Sequence, residues 1–194
     1  REIPVIGELE LGWRLVGATF VGITGTNGKT TTTELVAHIL RTAGRPVHAV
    51  GNIGSPLTGL AERPVGPDVT VVCECSSFQL EDTQFFAPEC AVYLNLAPDH
   101  LDRHETMAEY DRIKQRIFMN QVEGDVAVLN QSDPFIADLD PPGEASVVRF
   151  VPAARGELPV DLWLEDGAIV VDGKRLIDRS ELKLIGDHNV ANAM

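Results

Sequence analysis

Residues 22–33 read GITGTNGKTTTT, and their first two residues are the end of the short apolar segment ATFVGI at positions 18–23. A short β-branched apolar segment of this kind predicts a buried strand. A helical pattern then runs from about Lys29 to Thr42. The order strand, glycine turn, lysine, threonine, helix is the context in which backbone N–H groups bind phosphate. This order therefore predicts an α/β unit with a loop at the carboxyl end of a strand.

The loop departs from the common phosphate-loop pattern, which has a glycine five residues before the glycine that precedes lysine. Ile23 occupies that position, and Gly25 is the nearest glycine upstream of Gly28. Both glycines can adopt positive φ, which lets the backbone approach an oxyanion. Lys29 can bind phosphate oxygens, and the Thr30 hydroxyl can bind Mg²⁺. The alternative is a structural glycine turn before a helix capped by threonines.

Further apolar segments alternate with helical patterns along the chain. Strands are predicted at residues 46–50, 69–77, 91–96 and 125–130, with a helix from about Met107 to Asn120. Residues 1–16 read as a short extended piece and then a short helix. Strands that alternate with helices indicate parallel βαβ units. We therefore predict an α/β fold with a mostly parallel, P-loop-type sheet flanked by helices.

The pattern changes near position 150. Asp166-Gly167 and Asp172-Gly173 are turn signals between short strands, which predicts a small antiparallel β appendage near the C-terminal end. LKLI at 182–185 is predicted as a further strand, and HNVANAM begins a helix. A helix that stops where it starts suggests a chain cut from a longer protein.

Composition limits the classes of partner. The net charge of −13 argues against nucleic-acid binding, which usually needs a basic face. No apolar segment approaches the length of a membrane span, and no signal-peptide pattern is present. Cys73, Cys75 and Cys90 match no zinc pattern and are expected to be reduced thiols. We expect a cytoplasmic, monomeric protein that binds neither nucleic acid nor membrane.

Polar side chains follow two of the predicted strands. Glu74 comes after an apolar segment, where a bare carboxylate is costly to bury and a metal ion would offset the cost. Asp99, His100 and Asp102 follow the fourth strand, at the sheet edge where open α/β sheets bind ligands. The alternatives are that Glu74 is the first exposed residue of its loop and that His100 is a surface residue.

Helical periodicity singles out Lys114. On the helix from Met107, positions 110, 113, 114 and 117 share a face with apolar side chains, so Lys114 lies on the core side. Burial should lower the pKa of its amine and make it nucleophilic. The alternative is that Lys114 snorkels from the edge of the stripe. Arg112 and Arg116 are expected to face solvent.

Four more polar residues admit two interpretations each. Asn52 in GNIGSP is a functional residue or part of an ordinary turn, and Ser76 in ECSSFQLE is a functional residue or a turn or cap residue. Asn189 and Asn192 lie three apart at a helix start and so face the same way. Their amides could pair with the edge of adenine, or these residues belong to a helix start capped by Asp187 or Asn189.

Taken together, GTNGKTT, GNIGSP, SSFQLE, NLAPDHLD, the Y-x-x-x-K of residues 110–114 and GDHNVAN resemble the Mur ligases and the related folylpolyglutamate synthases. The resemblance covers nearly the whole chain, with the segments in the family's order. That family has a shorter phosphate loop, which would account for Ile23. Ala97 departs from the serine or threonine expected there.

The resemblance implies ATP and two Mg²⁺ ions as cofactors. It implies nucleotide contacts from Gly25, Thr26, Asn27, Gly28, Lys29, Thr30, Thr31, Asn189 and Asn192. It implies metal ligands Thr30, Glu74, His100 and a Lys114 carbamylated by CO₂, with Lys29, His100 and Lys114 as catalytic residues. The implied substrate contacts are Asn52, Ser76 and Asp99.

SSFQLE is similar to the branch that adds D-glutamate to UDP-N-acetylmuramoyl-L-alanine through an acyl phosphate. Residues 1–17 would then be a linker from a missing N-terminal UDP-binding domain. Residues 18–194 would be the central ATP-binding domain, with the C-terminal ligase domain absent and the fragment alone inactive. The alternatives are a sibling Mur ligase, a folylpolyglutamate synthase, or a nucleotide-binding module without ligase activity.

Overall fold

The computed structural model describes residues 5–62 and 65–194. The α-helices of these residues are Glu8–Leu15 (α1), Lys29–Thr42 (α2), Ser77–Glu81 (α3), Leu101–His104 (α4), Met107–Lys114 (α5) and Asp187–Ala193 (α6). Their strands are Thr19–Thr24 (β1), Val47–Gly51 (β2), Thr70–Glu74 (β3), Cys90–Tyr93 (β4), Val126–Asn130 (β5), Ser146–Val151 (β6), Leu162–Glu165 (β7), Ala168–Val171 (β8) and Lys174–Asp178 (β9). None of the described helices is long and apolar enough to cross a membrane.

The strands form one sheet in the order β2-β3-β1-β4-β5-β6-β7-β8-β9. Neighbours from β2 to β7 are parallel, and β7, β8 and β9 are antiparallel. This confirms the predicted α/β fold. The antiparallel strands continue the main sheet, because Phe150 and Val151 of β6 pair with Leu162 and Trp163 of β7. Since β1 lies between β3 and β4, the carboxyl ends of these three strands meet at the centre of one sheet edge.

Helices cover both faces of the sheet. Successive strand residues point to opposite faces, so Val71 belongs to one apolar cluster and Val72 to another. The first cluster includes Leu80 of α3 and Ile113 of α5, and the second includes Ala37 of α2. The helix that carries Lys114 and the helix that follows the glycine loop therefore lie on opposite faces of the sheet.

Helix α2 has the predicted bounds, and Gly44 follows it with φ 73°. The apolar side chains of α2 divide between two sides of the helix. Val36 and Leu40 pack toward the sheet, whereas Leu35 and Ile39 line an outer groove. The groove is closed on its other side by the segment that was predicted as a strand at 182–185.

That predicted strand is wrong. Residues 182–185 are not in a strand, and Leu182 and Leu184 line the groove beside α2. The apolar side chains of this segment therefore pack against a helix while its backbone pairs with no strand of the described sheet. The short helix predicted within residues 1–16 is α1, and the part of the predicted extended piece that falls on residues 1–4 lies outside the described residues.

The helix predicted from Met107 to Asn120 is α5 followed by a 3-10 turn at Gln115–Phe118. Arg112 is exposed and pairs with Glu109, as predicted for a solvent-facing residue. The prediction for Arg116 is wrong. Its guanidinium is half-buried and donates to the carbonyl oxygens of Leu80, at 2.9 Å, and Thr83, so it joins α5 to the end of α3.

Candidate active site

The glycine loop joins the end of β1 to the start of α2. Gly25 has φ 152° and Gly28 has φ 84°, both in the region that favours glycine. Gly28 also lies against Asn192, because a Cβ at position 28 would overlap the Oδ1 of Asn192. The backbone conformation requires glycine at position 28, and any side chain there would also displace the amide of Asn192.

Lys29 folds back over the loop that precedes it. Its Nζ donates to the carbonyl oxygens of Gly25, at 3.1 Å, and Thr26, at 2.9 Å. An ammonium held over a glycine loop at a helix N-terminus is placed to meet phosphate oxygens. The loop has the form expected for phosphate binding.

A second loop, after β4, holds the glycine loop in place. Asn95 accepts from the N–H of Asn27 at 2.8 Å and donates to the carbonyl of Asn27 at 2.9 Å. Thr26 adds an N–H bond to the Asn95 carbonyl and hydroxyl bonds to the backbone of Ala97. Asn95 was not among the predicted site residues, although its place directly after a strand could have marked it.

Glu74 ends β3 beside this loop, paired in register with Ile23 of β1. It is 2% exposed, so the alternative that it is the first exposed residue is wrong. The Thr30 hydroxyl donates to its Oε2 at 2.7 Å, and the Asn52 amide donates to its Oε1 at 2.9 Å. The structure thus brings together the three predicted residues Thr30, Asn52 and Glu74 on one buried carboxylate.

These oxygens fit a divalent cation. Mg²⁺ is bound in proteins by one or two carboxylates together with phosphate oxygens and water. The Glu74 carboxylate accepts hydrogen bonds from two neutral donors, the Asn52 amide and the Thr30 hydroxyl. The hydroxyl oxygen of Thr30 lies within 3 Å of the carboxylate, at the mouth of the glycine loop. Within the described ranges no cluster of three or more His, Cys, Asp or Glu side chains has metal-binding geometry. A cation here would therefore need ligands from a bound phosphate.

Lys114 is 1% exposed, so the alternative that its side chain snorkels to solvent is wrong. Its Nζ donates to the Gly25 carbonyl at 2.8 Å and lies 4.5 Å from the centre of the Tyr110 ring. Burial, followed by the positive charge of Lys29, lowers the pKa of Lys114 to about 7. A large fraction of this amine is neutral at physiological pH, and a neutral amine is nucleophilic.

His100 and Asp99 lie at the exposed side of the same edge. His100 has φ 51°, and its Nε2 is 3.5 Å from the Asp99 Oδ2. The His100 ring packs on Phe78 at 5.0 Å and meets the Tyr110 ring edge-on at 6.5 Å. His100 and Lys114 therefore border the same tyrosine ring from two directions.

Ser76 is a helix cap in this structure. Its hydroxyl accepts from the N–H of Gln79 at 3.3 Å, and Gln79 Oε1 accepts from the N–H of Ser76 at 3.1 Å, which forms a capping box at the start of α3. This geometry is that of the helix cap, one of the two interpretations of Ser76 in the sequence. A substrate contact by Ser76 stays a prediction.

Asn189 and Asn192 line a pocket of about 530 Å³ that opens beside the glycine loop. The amide of Asn192 donates to Asn189 Oδ1 at 3.1 Å, so the two side chains face the same way as predicted. Helix α6 has Gly186 as its N-cap without a side-chain cap, so the capping alternative for Asn189 is not observed. Thr31 of α2 is also in the pocket wall.

The pocket has further walls that sequence reasoning missed. Asn130 at the end of β5 and Phe150 near the end of β6 line it opposite the loop. Asn130 donates to the Leu94 carbonyl at 2.8 Å, which joins the ends of β5 and β4. A cavity with amides around it, an aromatic ring at one end and a glycine loop at the other suits a nucleotide.

A family model described as the Mur ligase middle domain matches residues 23–194. A curated UDP-N-acetylmuramoylalanine–D-glutamate ligase of Pelotomaculum thermopropionicum is 48% identical over 196 residues, covering 99% of this chain. The chain spans 42% of the length of that relative.

Solved structures are similar in fold. One crystal structure of MurF from Acinetobacter baumannii has a TM-score of 0.69 at 20% identity, covering 96% of this chain and 43% of that one. The MurF ligase of Thermotoga maritima in complex with ADP has a TM-score of 0.64 at 20% identity, covering 96% of this chain and 46% of that one.

Proposed function

Because this chain belongs to the Mur ligase family, we propose that it is the ATP-binding part of a ligase that joins D-glutamate to UDP-N-acetylmuramoyl-L-alanine. The proposal for the two substrates is supported by SSFQLE at residues 76–81 and by the name of the relative at 48% identity. The reaction belongs to peptidoglycan synthesis, and we place it in the cytoplasm. We propose that residues 1–17 link this domain to an N-terminal UDP-binding domain and that a C-terminal ligase domain completes the enzyme.

One observation carries the proposal for ATP chemistry. Lys29, Lys114 and the Thr30–Glu74 pair all meet at the glycine loop, where Gly25 accepts from both lysines. Joining a carboxylate to a phosphate brings two anions together, so the chief requirement is positive charge at the point of attack. This edge of the sheet brings together the Lys29 ammonium, a carboxylate suited to Mg²⁺ and the buried amine of Lys114.

In the first step the L-alanine carboxylate attacks the γ-phosphorus of ATP, which gives an acyl phosphate and ADP. Lys29 leaves the carbonyls of Gly25 and Thr26 and binds the β- and γ-phosphate oxygens. Thr30 and Glu74 would hold one Mg²⁺, which supplies charge neutralisation at the γ-phosphate. Asn189 and Asn192 bind the adenine end of the nucleotide from α6.

In the second step the amine of D-glutamate attacks the acyl carbonyl, and phosphate leaves. We propose that His100 and Lys114 would hold a second Mg²⁺, whose charge would orient the L-alanine carboxylate for the first step. As an ammonium, Lys114 would repel that ion, so this role requires its carbamylated form, which carries a negative charge. Its lowered pKa supports reaction with CO₂, because only the neutral amine attacks. Asn52, Ser76 and Asp99 would contact the acyl substrate.

The test follows phosphate release by an enzyme that carries this chain together with its proposed flanking domains. The mixture contains ATP, Mg²⁺ and UDP-N-acetylmuramoyl-L-alanine, and D-glutamate, L-glutamate, diaminopimelate and lysine are added one at a time. We expect release with D-glutamate alone. Lys29→Ala should abolish it, whereas Lys174→Ala, at an exposed lysine of β9, should not.

Two other results would each contradict part of the proposed function. Release with a different amine, or with a folate in place of the muramoyl substrate, would retain the ATP chemistry and overturn the proposed substrates. Nucleotide binding without release for any amine would support a binding module without ligase activity. The isolated chain is proposed to be inactive, and D-glutamate-dependent release from it would contradict that.

A further inference from the structure

His104 is the buried residue of α4, a helix of a single turn. It is 2% exposed. The residues on either side of the helix, His100 and Glu105, have φ of 51° and 60°. Left-handed backbone at residues other than glycine persists only where the surrounding packing holds it. The N–H of His104 donates to the His100 carbonyl at 3.0 Å, so the buried His104 is bonded directly to the backbone of His100.

The ring of His104 is held from two sides. Its Nε2 is hydrogen bonded to the Oγ of Ser77 at 2.9 Å, and Ser77 is the first residue of α3. The ring stacks on Tyr110 with centroids 5.1 Å apart and planes at 18°. Because Ser77 and Tyr110 are also buried, at 3% and 1% exposed, the arrangement has little freedom to move.

Tyr110 passes this constraint on to Lys114. The Lys114 Nζ lies over the Tyr110 ring at 4.5 Å from its centre. At this distance the ring packs against the end of the lysine side chain, and its negative face also attracts the amine when it is protonated, so the position of the ring helps to set the position of the amine. The contacts therefore run without a gap from α3 through Ser77, His104 and Tyr110 to Lys114.

We propose that His104 is a positioning residue that holds His100 and Lys114 at the spacing required of the second cation site. It acts on His100 through the backbone of α4 and on Lys114 through the Tyr110 ring. The role in the reaction rests on the proposed function, whereas the control of Lys114 by His104 does not. Sequence reasoning did not select His104, because its four-residue helix is too short to show periodicity.

The test measures the position of Lys114 directly. Methylene protons above an aromatic face are shifted upfield by the ring current. We would record proton–carbon correlation spectra of protein labelled with ¹³C-lysine and identify Lys114 from its loss in Lys114→Arg. Tyr110→Leu gives the shift without the ring. We expect His104→Ala to lose at least half of the upfield shift, and Ser77→Ala to lose a smaller part.

A matched control is Val160→Ala, which opens a cavity in the separate cluster of Val151, Val160, Trp163 and Val170. It should lower stability and leave the Lys114 shift unchanged. A folded His104→Ala with the wild-type shift would overturn the proposal. If that variant does not fold, His104→Phe, which keeps a ring and removes the bond to Ser77, is compared with Ser77→Ala, and wild-type shifts in both would overturn it.

A second measurement links the position to the reaction. In the phosphate-release assay, His104→Ala should raise the Mg²⁺ concentration for half-maximal rate by about tenfold, the effect of disturbing residues behind a metal site. An unchanged Mg²⁺ requirement would show that His104 has no part in the cation site. If the wild-type enzyme shows no ligase activity, the proposed function fails while the Lys114 shift still decides the role of His104.

Discussion

Lys29 and Lys114 donate hydrogen bonds to the same acceptor, the carbonyl oxygen of Gly25, at 3.1 and 2.8 Å. Two ammonium groups on one oxygen repel each other. This repulsion is the second cause, after burial, of the low pKa of Lys114. The lysine of the phosphate loop and the lysine of the proposed second cation site are therefore electrostatically coupled through one residue of the loop.

Removing the charge of Lys29 should raise the pKa of Lys114 above its value of about 7. Lys29→Met takes away a nearby positive charge and leaves burial as the main cause of the shift. The ¹³C shift of the Lys114 side chain, followed from pH 5 to 11, measures the change. Lys29→Arg keeps the charge and should leave the midpoint close to that of the wild type. Equal midpoints in Lys29→Met and wild type would show that the two lysines are not coupled.

Lys114 should destabilise the fold at neutral and acidic pH. Its pKa falls from 10.5 in the unfolded chain to about 7 in the folded protein, a penalty on the order of 5 kcal/mol. The penalty is complete below pH 7 and disappears as the pH rises to 10.5, because in that window only the unfolded chain holds the proton. Lys114→Met should therefore raise the free energy of unfolding by about 2–4 kcal/mol at pH 6 and by little at pH 10.

Urea unfolding in CO₂-free buffer at both pH values checks this. The exposed Lys174→Met serves as control and should show no such pH-dependent gain. A gain from Lys114→Met that is equal at pH 6 and pH 10 would contradict the lowered pKa as its source.

Asn95 lines the pocket and should control nucleotide affinity by holding the glycine loop. Asn95→Ala removes both side-chain bonds to the Asn27 backbone and frees the glycine loop. Two neutral hydrogen bonds correspond to about 1–2 kcal/mol, so ATP affinity should fall roughly tenfold. Calorimetric titration with ATP measures it.

Asn120→Ala is the matched control for that experiment, because its amide also donates to two backbone carbonyls but lies outside the pocket. It should bind ATP with the affinity of the wild type. An Asn95→Ala variant with unchanged affinity would show that the loop keeps its shape without this support.

Glu10 should fasten α1 to the domain through a buried carboxylate. Its oxygens accept from the N–H groups of Gln84, Phe85 and Phe86 and from Arg14. Burial alone would raise the pKa of Glu10, but the hydrogen bonds outweigh it and lower the pKa below 4.5. The stabilisation is present above pH 4.5 and is lost as the pH falls through the folded pKa.

Glu10→Gln should lower the free energy of unfolding by about 2–3 kcal/mol at pH 7 and by less near pH 3. Glu8→Gln in the same helix is the control, since Glu8 accepts from one backbone N–H, that of Thr58, and should lose under about 1 kcal/mol. A Glu10→Gln deficit that stays constant from pH 7 to pH 3 would argue against a charged Glu10 as the fastening group.

Sequence was most informative where one local pattern decides the structure. The bounds of α2 and the burial of Lys114 follow from turn chemistry and helical periodicity. It failed where the partner is distant in sequence. The apolar residues of 182–185 pack on α2 instead of pairing as a strand, and Arg116 finds carbonyl acceptors some 35 residues away. Asn95 and His104 likewise act through contacts with residues distant in sequence, Asn27 and Ser77.

The order of the strands also sets the distance between the glycine loop and the Phe150 ring. The glycine loop follows β1, and Phe150 at the far end of the pocket belongs to β6, with β4 and β5 between them. Three interstrand spacings of about 4.8 Å place these two ends about 14 Å apart. Backbone hydrogen bonds fix that distance, so no side-chain substitution in the pocket can shorten it. A nucleotide that binds the glycine loop with its phosphates and packs its ring on Phe150 must therefore span this gap.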